Sequence, residues 1–442
     1  MAIANVSVDN SKLVLNTFAA VFQNNLTVSD AVSWHQHDGE MNDRNSFVVV
    51  EQVGPRYSVS QTISGVADYT TSGTHDTVFG SEQFKVDRVF GASMGWADFV
   101  KIRDIGDARE STAIKNAAMQ LAEQIDAYIL GFAAQASNNY VGTPGNTVAT
   151  FTDVAAAYTR LKEEGADDSD IRAILNYSDK QALGNWIVAN NSSSLSEADG
   201  IYRKGFTGEV AGVPTLFTQQ LPTTVPGTHA LSGANVKMNG AAQNVNYSAV
   251  AVSPAPGQFL TQTINITVSA AGTETVNDGE VFTIAGVNAW DNRLGASLAR
   301  LQQFRVVGGP YTAVAGVIAA MRIFPALIVQ GSGAGSAILV NTANATVDTV
   351  PAAAALITFI TGNSANVKPR VLLQKDAIVV NTKDLILPAT GIGMRKALSK
   401  VPVSVRMWKN SNFNTGQHDV RFDVALSANV RDRRRIVRLN GA

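Results

Sequence analysis

The sequence of 442 residues contains no cysteine, and only 16% of its residues are charged. The absence of cysteine excludes a disulfide scaffold, a thiolate metal site and a cysteine nucleophile, and it fits assembly in a reducing compartment. The 35 basic and 36 acidic residues give a net charge of −1, so we do not expect nucleic acid to bind over the whole surface. Aromatic residues make up only 7%, but the hydrophobic fraction of 45% excludes a disordered chain.

A long uninterrupted apolar segment is also missing. The uncharged stretch at residues 323–347 is interrupted by Pro325 and by glycines such as Gly331, so it is too broken for a membrane span of about 20 residues. Residues 1–7 contain no basic side chain and no apolar block of the kind that signal peptides carry. We therefore expect a soluble protein with no membrane partner.

The charge that is present is unevenly distributed along the chain. Residues 226–346 carry only four acidic and five basic side chains. Within this stretch Ile264, Ile266 and Val268 alternate with polar residues, which is the pattern of a half-buried strand. Residues 277–279, Asn-Asp-Gly, are typical of a hairpin turn. The chain length allows about two to four domains, and these features predict a small β-barrel or sandwich inserted into a more charged host.

Helical periodicity is strongest before the insert. Amphipathic patterns predict a helix at residues 9–26, a long one at 107–137 and another at 152–164. A further helix should follow with Ser178 as its N-cap. At 1.5 Å per residue, the long helix would be a rod of roughly 45 Å.

The sequence also predicts a long two-stranded arm between the first two helices. Residues 47–50 and 78–86 have the apolar side chains of two strands, and the polar stretch at 69–76 is suited to the tip. Because an isolated hairpin is only marginally stable in water, the arm should need a partner surface.

One short pattern raises the possibility of catalysis. Residues 91–95, Gly-Ala-Ser-Met-Gly, match the G-x-S-x-G pattern of a nucleophile elbow, with Ser93 as the nucleophile. A hydrolase would also need a later acid and a later histidine, and only His229 and His418 follow Ser93. A glycine-rich turn explains the pattern more simply. We therefore expect no catalytic residue, and a serine hydrolase that uses Ser93 stays a minor alternative.

Two further motifs could bind a ligand. His35 and His37 would share one face of a strand and could reach one metal ion, but two ligands do not make a site, and a solvated polar loop is the simpler interpretation. Residues 331–335, Gly-Ser-Gly-Ala-Gly, faintly resemble a dinucleotide loop, but strand-like residues follow where a helix is required. We therefore expect no cofactor and no bound metal ion.

A basic cluster lies near the end of the sequence. It could contact phosphate, or it could protect a strand edge and pair with acidic residues of neighbouring subunits. We favour the second interpretation. The cluster consists of Arg431, Arg433, Arg434, Arg435 and Arg438.

Several segments resemble the major capsid proteins of tailed double-stranded DNA phages, which have the Hong Kong 97-type fold. Residues 208–215 (GEVAGVPT) are similar to that family's G-x-x-x-G-x-P-V segment, and residues 176–179 to its N-x-x-D. Residues 373–378 (LQKDAI) resemble its K-D-A strand. Residues 45–55 and 279–287 are similar to the subgroup typified by the coat protein of phage P-22, which carries an inserted domain.

The resemblance implies an α+β fold with five parts, and the module of low charge coincides with the inserted one. These parts are an N-terminal arm (1–39), an extended loop (40–88), a peripheral domain with a long spine helix (89–144 and 399–442), an axial domain (145–225 and 347–398) and an inserted β-barrel domain (226–346).

The function that the resemblance implies is that of a major capsid protein. Copies of the chain would assemble in the host bacterial cytoplasm into the icosahedral procapsid and capsid shell of the virion. The implied partners are other copies in hexamers and pentamers, a scaffolding protein, a portal protein at one vertex and packaged double-stranded DNA, which would touch the inner face non-specifically. A tail-tube or decoration protein is the main alternative, and the long helix at residues 107–137 argues against it.

Overall fold

The structure is a computed structural model. It describes residues 2–36, 48–51, 81–84, 86–97, 106–167, 170–190, 209–241, 243, 261–270, 272–291, 296–329, 345–362, 366–412 and 417–442.

The secondary structure of these residues is mixed. The helices are α1 (Ala2–Asn25), α2 (Gly106–Ala136), α3 (Phe151–Glu163) and α4 (Tyr177–Asn190). The strands are β1 (Ser33–Gln36), β2 (Val48–Glu51), β3 (Ser81–Phe84), β4 (Arg88–Ala97), β5 (Asn139–Val141), β6 (Ile171–Leu175), β7 (Glu209–Val210), β8 (Val213–Phe217), β9 (Lys237–Met238), β10 (Gln262–Thr267), β11 (Thr275–Val276), β12 (Val281–Asp291), β13 (Ala296–Val306), β14 (Tyr311–Thr312), β15 (Val317–Phe324), β16 (Ile357–Phe359), β17 (Arg370–Gln374), β18 (Ile378–Lys383), β19 (Ile392–Ala397), β20 (Ser404–Asn412), β21 (Gln417–Val430) and β22 (Ile436–Leu439).

The first unit consists of α1 and α2 packed on a six-stranded sheet. Its strand order is β1-β18-β21-β20-β19, and β4 also pairs with the long strand β21. Phe18 of α1 stacks on Phe422 of β21 with the ring centroids 3.9 Å apart. Ile125 and Ile129 of α2 are fully buried in the same core. The amphipathic patterns at residues 9–26 and 107–137 therefore predict these helices correctly, although α1 begins earlier than predicted.

The second unit is another six-stranded sheet, with α3 and α4 packed against it. Its order is β5-β22-β17-β6-β8-β7. One face of the sheet forms a cluster with α3 and α4, and side chains of the other face, such as Ile174 and Leu373, belong to the core of the first unit. A buried ion pair joins α4 to β17, because Arg370 donates from Nε and Nη2 to the two carboxylate oxygens of Asp179, each at 2.7 Å. The helix predicted at residues 152–164 is confirmed as α3.

The start of α4 differs from the prediction. The backbone oxygen of Asn176 accepts the N–H groups of Asp179 and Lys180, at 3.1 and 3.2 Å. The carboxylate of Asp179 accepts the N–H of Asn176 in return, at 2.8 Å. Asn176 is therefore the N-cap, and the prediction of Ser178 is wrong because the returning carboxylate holds Asn176 as the last residue outside the helix.

The third unit is a β-barrel with the strand order β16-β12-β13-β15-β10-β9. Backbone bonds join its first and last strands, since Met238 donates to the oxygen of Ala355 and Ile357 donates to the oxygen of Val236, both at 2.9 Å. This pairing closes the sheet on itself and leaves neither end strand with an open edge.

The predicted strand around residue 264 is β10, and Ile264 and Ile266 face the barrel core as their alternation predicts. The turn at residues 277–279 is also present, with Gly279 at a φ of +84°. It does not form the predicted hairpin, however, because β11 before it pairs with β14, whereas β12 after it pairs with β13. A turn signal is local and does not specify which strands pair.

Two adjacent connections join the barrel to the rest of the chain. The N–H of Thr224 donates to the oxygen of Val367 at 2.8 Å, and the N–H of Val367 donates back at 3.0 Å. We call this pair the clasp. Strand β16 belongs to the barrel and lies beyond residue 346, and the late strand β22 belongs to the second sheet.

Strands β2 and β3 form an antiparallel pair of their own, with Val48 opposite Phe84. Among the described strands they pair only with each other. The two strands of the predicted arm are therefore confirmed, whereas its tip at residues 69–76 lies outside the described residues.

Candidate functional site: the junction of the three units

The G-x-S-x-G pattern does not form a nucleophile elbow. Residues 91–95 lie inside β4, and Ser93 is opposite Arg421 in a regular antiparallel ladder. A nucleophile elbow requires a sharp turn from a strand into a helix. The regular strand backbone at Ser93 therefore cannot expose this serine in the way that an elbow does. The glycine-rich turn that we expected is also wrong. The small residues instead allow close approach to β21, because a Cβ at Gly91 would lie 2.6 Å from Oδ1 of Asp423.

The two other ligand motifs give no site in the described part of the chain. His35 lies in β1, while His37 and residues 331–335 are outside the described residues. No group of three or more possible metal-ligating side chains occurs among the residues that the structure describes. Within the same residues, no helix is both long and apolar enough to span a membrane.

The C-terminal arginines do not form one exposed patch for phosphate. Arg434 and Arg435 both bind Asp432, with nitrogen–oxygen distances of 3.1 and 3.2 Å, and Arg438 is only 2% exposed. The expectation of ion pairing therefore holds for two arginines, but their acidic partner belongs to the same chain rather than to a neighbouring subunit.

Arg438 reaches the place where the three units meet. It extends from β22 of the second sheet and donates from Nη2 to the oxygen of Ser137, just after α2, at 3.1 Å. The same nitrogen donates to the oxygen of Gly279 in the barrel at 2.6 Å. Burial lowers the pKa of Arg438 to about 10. The helix end helps to hold the charge, because carbonyl groups at a helix C-terminus favour a cation.

Gln303 of the barrel binds the edge of the second sheet. Its side-chain oxygen accepts the N–H of Tyr140 in β5, and its side-chain nitrogen donates to the oxygen of Tyr140, both at 2.8 Å. The amide therefore satisfies both backbone groups of Tyr140, as a neighbouring strand would. We call this pair of bonds the Gln303 latch.

Other contacts across the junction are also polar. Arg300 of the barrel forms ion pairs with Glu163 and Glu164 at the end of α3. Gln135 of α2 donates to Asp278 of the barrel at 2.6 Å.

Among the described residues the barrel buries a core cluster of its own, whereas the core of the first unit continues into the second sheet through Ile174, Leu373 and Ile436. A cavity of about 390 Å³, lined in part by Gln135, Asp278 and Arg438, remains between the units. The barrel is therefore joined to the other two units by directional polar bonds and shares no core cluster with them among the described residues.

Asp126 makes a second polar joint, inside the first unit. It is 2% exposed on α2, and its carboxylate accepts the N–H groups of Thr27 and Val28 at 2.8 and 3.4 Å. These residues lie two and three positions after the end of α1, so Asp126 fixes the chain that leaves that helix to α2. Burial is the main cause that raises the pKa of Asp126 to about 7, and the two backbone hydrogen bonds oppose it.

The model of the family described as P22 coat protein, gene protein 5, matches residues 1–436. The chain belongs to this family. The resemblance noted in the sequence and the α+β, Hong Kong 97-like fold class are thereby confirmed. The coat protein is a major capsid protein of a tailed phage, a component of the virion that assembles into a multimeric shell.

Solved structures similar to the coat protein have low sequence identity to it. A structure from Mycobacterium phage Che8 is 9% identical, covers 91% of this chain and 86% of its own, and has a TM-score of 0.41. The capsid of Ralstonia phage GP4 is 6% identical, with coverages of 93% and 87% and a TM-score of 0.42. The CUS-3 coat protein I-domain is 21% identical and covers 31% of this chain and 98% of its own, with a TM-score of 0.20. No curated protein matches the sequence.

The family therefore excludes the tail-tube and decoration alternatives, and it is one of capsid structural proteins. Sequence reasoning missed the roles of Gln303, Tyr140 and Asp126. Each role depends on which units meet in space, and the only sequence signal for any of these residues was that Asp126 interrupts the apolar stripe of α2.

Proposed function

We propose that copies of the coat protein assemble, with a scaffolding protein, into an icosahedral precursor shell of hexamers and pentamers in the host bacterial cytoplasm. A portal protein would occupy one vertex, and packaged double-stranded DNA would contact the inner face non-specifically. The shell would then enclose the genome in the virion.

The observation that carries this proposal is the pairing of β2 and β3. They pair only with each other among the described strands, and a two-stranded ribbon alone is marginal in water. A second copy of the chain would supply the missing surface. Many such modest contacts, each linked to the others, would hold a closed shell by avidity.

We also propose the division into an N-terminal arm, an extended loop, a peripheral domain, an axial domain and an inserted barrel. The closed strand order of the barrel and its separate core support an inserted unit. The clasp between Thr224 and Val367 supports an insertion with neighbouring ends. On this basis the insert would extend from about residue 225 to about residue 366.

We further infer that the coat protein has neither a catalytic role nor a cofactor. The position of Ser93 inside β4 supports this inference, because a strand residue opposite Arg421 lacks the turn geometry of a hydrolase nucleophile.

Negative-stain microscopy of the purified chain, with and without the neighbouring scaffolding gene, tests the proposed assembly. We expect closed shells when both proteins are expressed. A deletion of residues 69–76, the predicted tip of the arm, should leave the unfolding midpoint of the subunit unchanged and prevent shell formation, because it would remove the proposed contact with the next copy. Tubes from the full chain, or normal shells from the deletion variant, would contradict the proposal.

A further inference from the structure

One face of the first unit carries lysines that are held by neutral side chains. Lys396 donates from Nζ to Oδ1 of Asn16 at 2.7 Å, and Lys400 donates from Nζ to Oδ1 of Asn24 at 3.3 Å. Lys12 is exposed one helical turn before Asn16 on α1. We call the surface formed by Lys12, Lys396, Lys400 and the two asparagines the lysine face.

The geometry of α1 explains why this face is continuous. Lys12, Asn16, Ala20 and Asn24 follow each other at intervals of four residues and are all exposed, so they form one ridge along the helix. The opposite side of α1 is buried through residues such as Phe18 and Phe22. The ridge is therefore fixed on the outside of a packed helix and does not rotate.

The connection between β19 and β20 lies alongside this ridge. Ser399 donates its N–H to Oε1 of Gln23 at 3.3 Å, and Nε2 of Gln23 donates to Oγ of Ser399 at 3.2 Å. These bonds place Lys396 and Lys400 beside α1 at two separate points along it.

Acidic residues are scarce in the segments that form the lysine face. Residues 385–418 contain neither aspartate nor glutamate, and α1 contains one acidic residue, Asp9, three positions before Lys12. Among the basic residues of the second segment, Arg395 binds Asp384 and Arg406 binds Asp423. The ammonium groups of Lys396 and Lys400 instead bind amide oxygens, which orient them without neutralising their charge.

The two asparagines that orient the lysines are spaced along α1 at a distance comparable to the width of a duplex groove. Asn16 and Asn24 are eight residues apart, which corresponds to about 12 Å along an α-helix. The major groove of B-form DNA is also about 12 Å wide between the phosphate rows that border it. Two ammonium groups at this separation could each contact a phosphate on either side of one groove.

We propose that the lysine face binds the phosphate backbone of double-stranded DNA, without regard to sequence. This proposal rests on the proposed function, because a shell that encloses a genome presents one face of each subunit to packaged DNA. It assigns that contact to Lys396 and Lys400. The contact is a sparse one of about two phosphates per subunit, so it holds DNA weakly and is sensitive to salt.

An acidic polypeptide is the competing partner. Its carboxylates have no fixed separation, so the rigid spacing of Lys396 and Lys400 would give it no advantage. A duplex has a fixed repeat, and many identical subunits could each contact it with the same geometry. The observations therefore favour DNA, and polyglutamate serves as the comparison in the test.

The experiment measures the anisotropy of a labelled random-sequence duplex mixed with the unassembled full-length chain over a range of salt concentrations. Each phosphate contact contributes about 0.9 to the slope of log affinity against log salt. The double variant Lys396→Gln and Lys400→Gln should therefore lower that slope by about 2. The variant Lys396→Arg and Lys400→Arg should restore it, since it keeps the charge.

Lys237→Gln in the barrel is the matched control, because it removes one lysine charge outside the lysine face and should leave the slope unchanged. Equal slopes for the double variant and the wild type would overturn the proposal. Tighter binding of polyglutamate than of the duplex, or no binding of the duplex by the wild type at low salt, would also overturn it.

Microscopy separates this proposal from the proposed function. The double variant should still form closed shells, because the lysine face is not assigned to contacts between subunits. If the double variant forms normal shells and its slope of log duplex affinity against log salt equals that of the wild type, the DNA contact is disproved and the proposed function is not. Failure of the wild type to form shells would disprove the proposed function.

Discussion

Two buried charges connect separate elements in the coat protein, and backbone groups hold each of them. Arg438 donates to the oxygens of Ser137 and Gly279, and Asp126 accepts the N–H groups of Thr27 and Val28. Backbone groups keep their partial charge at every pH, so such joints change only when the side chain itself gains or loses a proton. For Arg438 this does not happen near neutral pH, but for Asp126 it does.

Asp126 should make the stability of the subunit depend on pH. Its pKa rises from 3.8 to about 7 in the folded protein. The folded state therefore binds more protons than the unfolded state between these values, and stability must fall as pH rises from about 4 to 7. At 1.36 kcal/mol per pKa unit, the loss is at most about 4 kcal/mol. Asp126→Asn should remove this dependence and raise the urea midpoint at pH 8.

Glu123→Gln is the control for this measurement. Glu123 lies one turn away on α2, is exposed, and raises the pKa of Asp126 only as a minor contributor. This variant should keep most of the decline in stability between pH 5 and pH 8. If Asp126→Asn showed the same decline as the wild type, the buried carboxylate would not be its source.

At the scale of elements, the sequence predicted the structures that depend on local periodicity. The stripe of α2 and the alternation of Ile264 and Ile266 in β10 are repeated patterns over many residues, so one misleading position does not hide them. The errors concern single residues, such as Ser178 and the motif around Ser93. The N-cap depends on the side chain of Asp179, which bonds back to Asn176, and the conformation at Ser93 depends on pairing with β21. Neither interaction can be inferred from the neighbouring sequence.

Glycines at the ends and in the middle of elements allow a direct test of packing. A Cβ at Gly441, just after β22, would lie 2.0 Å from the oxygen of Thr147. Gly441→Ala should therefore destabilise the second unit by about 2–4 kcal/mol, as a lower thermal unfolding midpoint would show. Gly131→Ala is the matched variant inside α2, where the nearest atom is Cβ of Pro222 at 3.8 Å.

Gly131→Ala should be neutral or raise stability by up to about 1 kcal/mol, because alanine favours a helix over glycine. Equal effects of the two substitutions would show that backbone contact at Gly441 does not limit the packing of the second unit.

At the scale of the whole molecule, the barrel has a core of its own and meets the other two units through polar bonds. Composition alone located the low-charge barrel approximately, but no sequence pattern indicated that Gln303 would bind Tyr140, which lies 163 positions away. Only the three-dimensional structure reveals the Gln303 latch. Because the latch is polar and lies outside the barrel core, the barrel should be able to lose this contact with β5 and keep its fold.

Gln303→Ala tests this implication. It removes both bonds of the latch, and the amide of Tyr140 should exchange with solvent at least about tenfold faster, which corresponds to about 1.4 kcal/mol. Amides of β12 and β13 should keep their protection, since the core of the barrel is unchanged. Val314→Ala, at an exposed turn, is the control and should change neither the exchange rate of the Tyr140 amide nor the protection of the β12 and β13 amides. Faster exchange throughout the barrel in Gln303→Ala would show that the latch supports its fold as well as its position.

The position of β22 has a consequence for synthesis on the ribosome. This strand lies between β5 and β17, so β5, at Asn139–Val141, has no strand beside it until Ile436–Leu439 has been translated. At roughly 5–20 residues per second, that delay is on the order of 15–60 s. The barrel strands emerge during this interval, and the barrel sheet can close without any strand from the chain before or after it. Nascent chains should therefore carry a finished barrel beside an incomplete second sheet, which is the interval in which a chaperone would have most to protect.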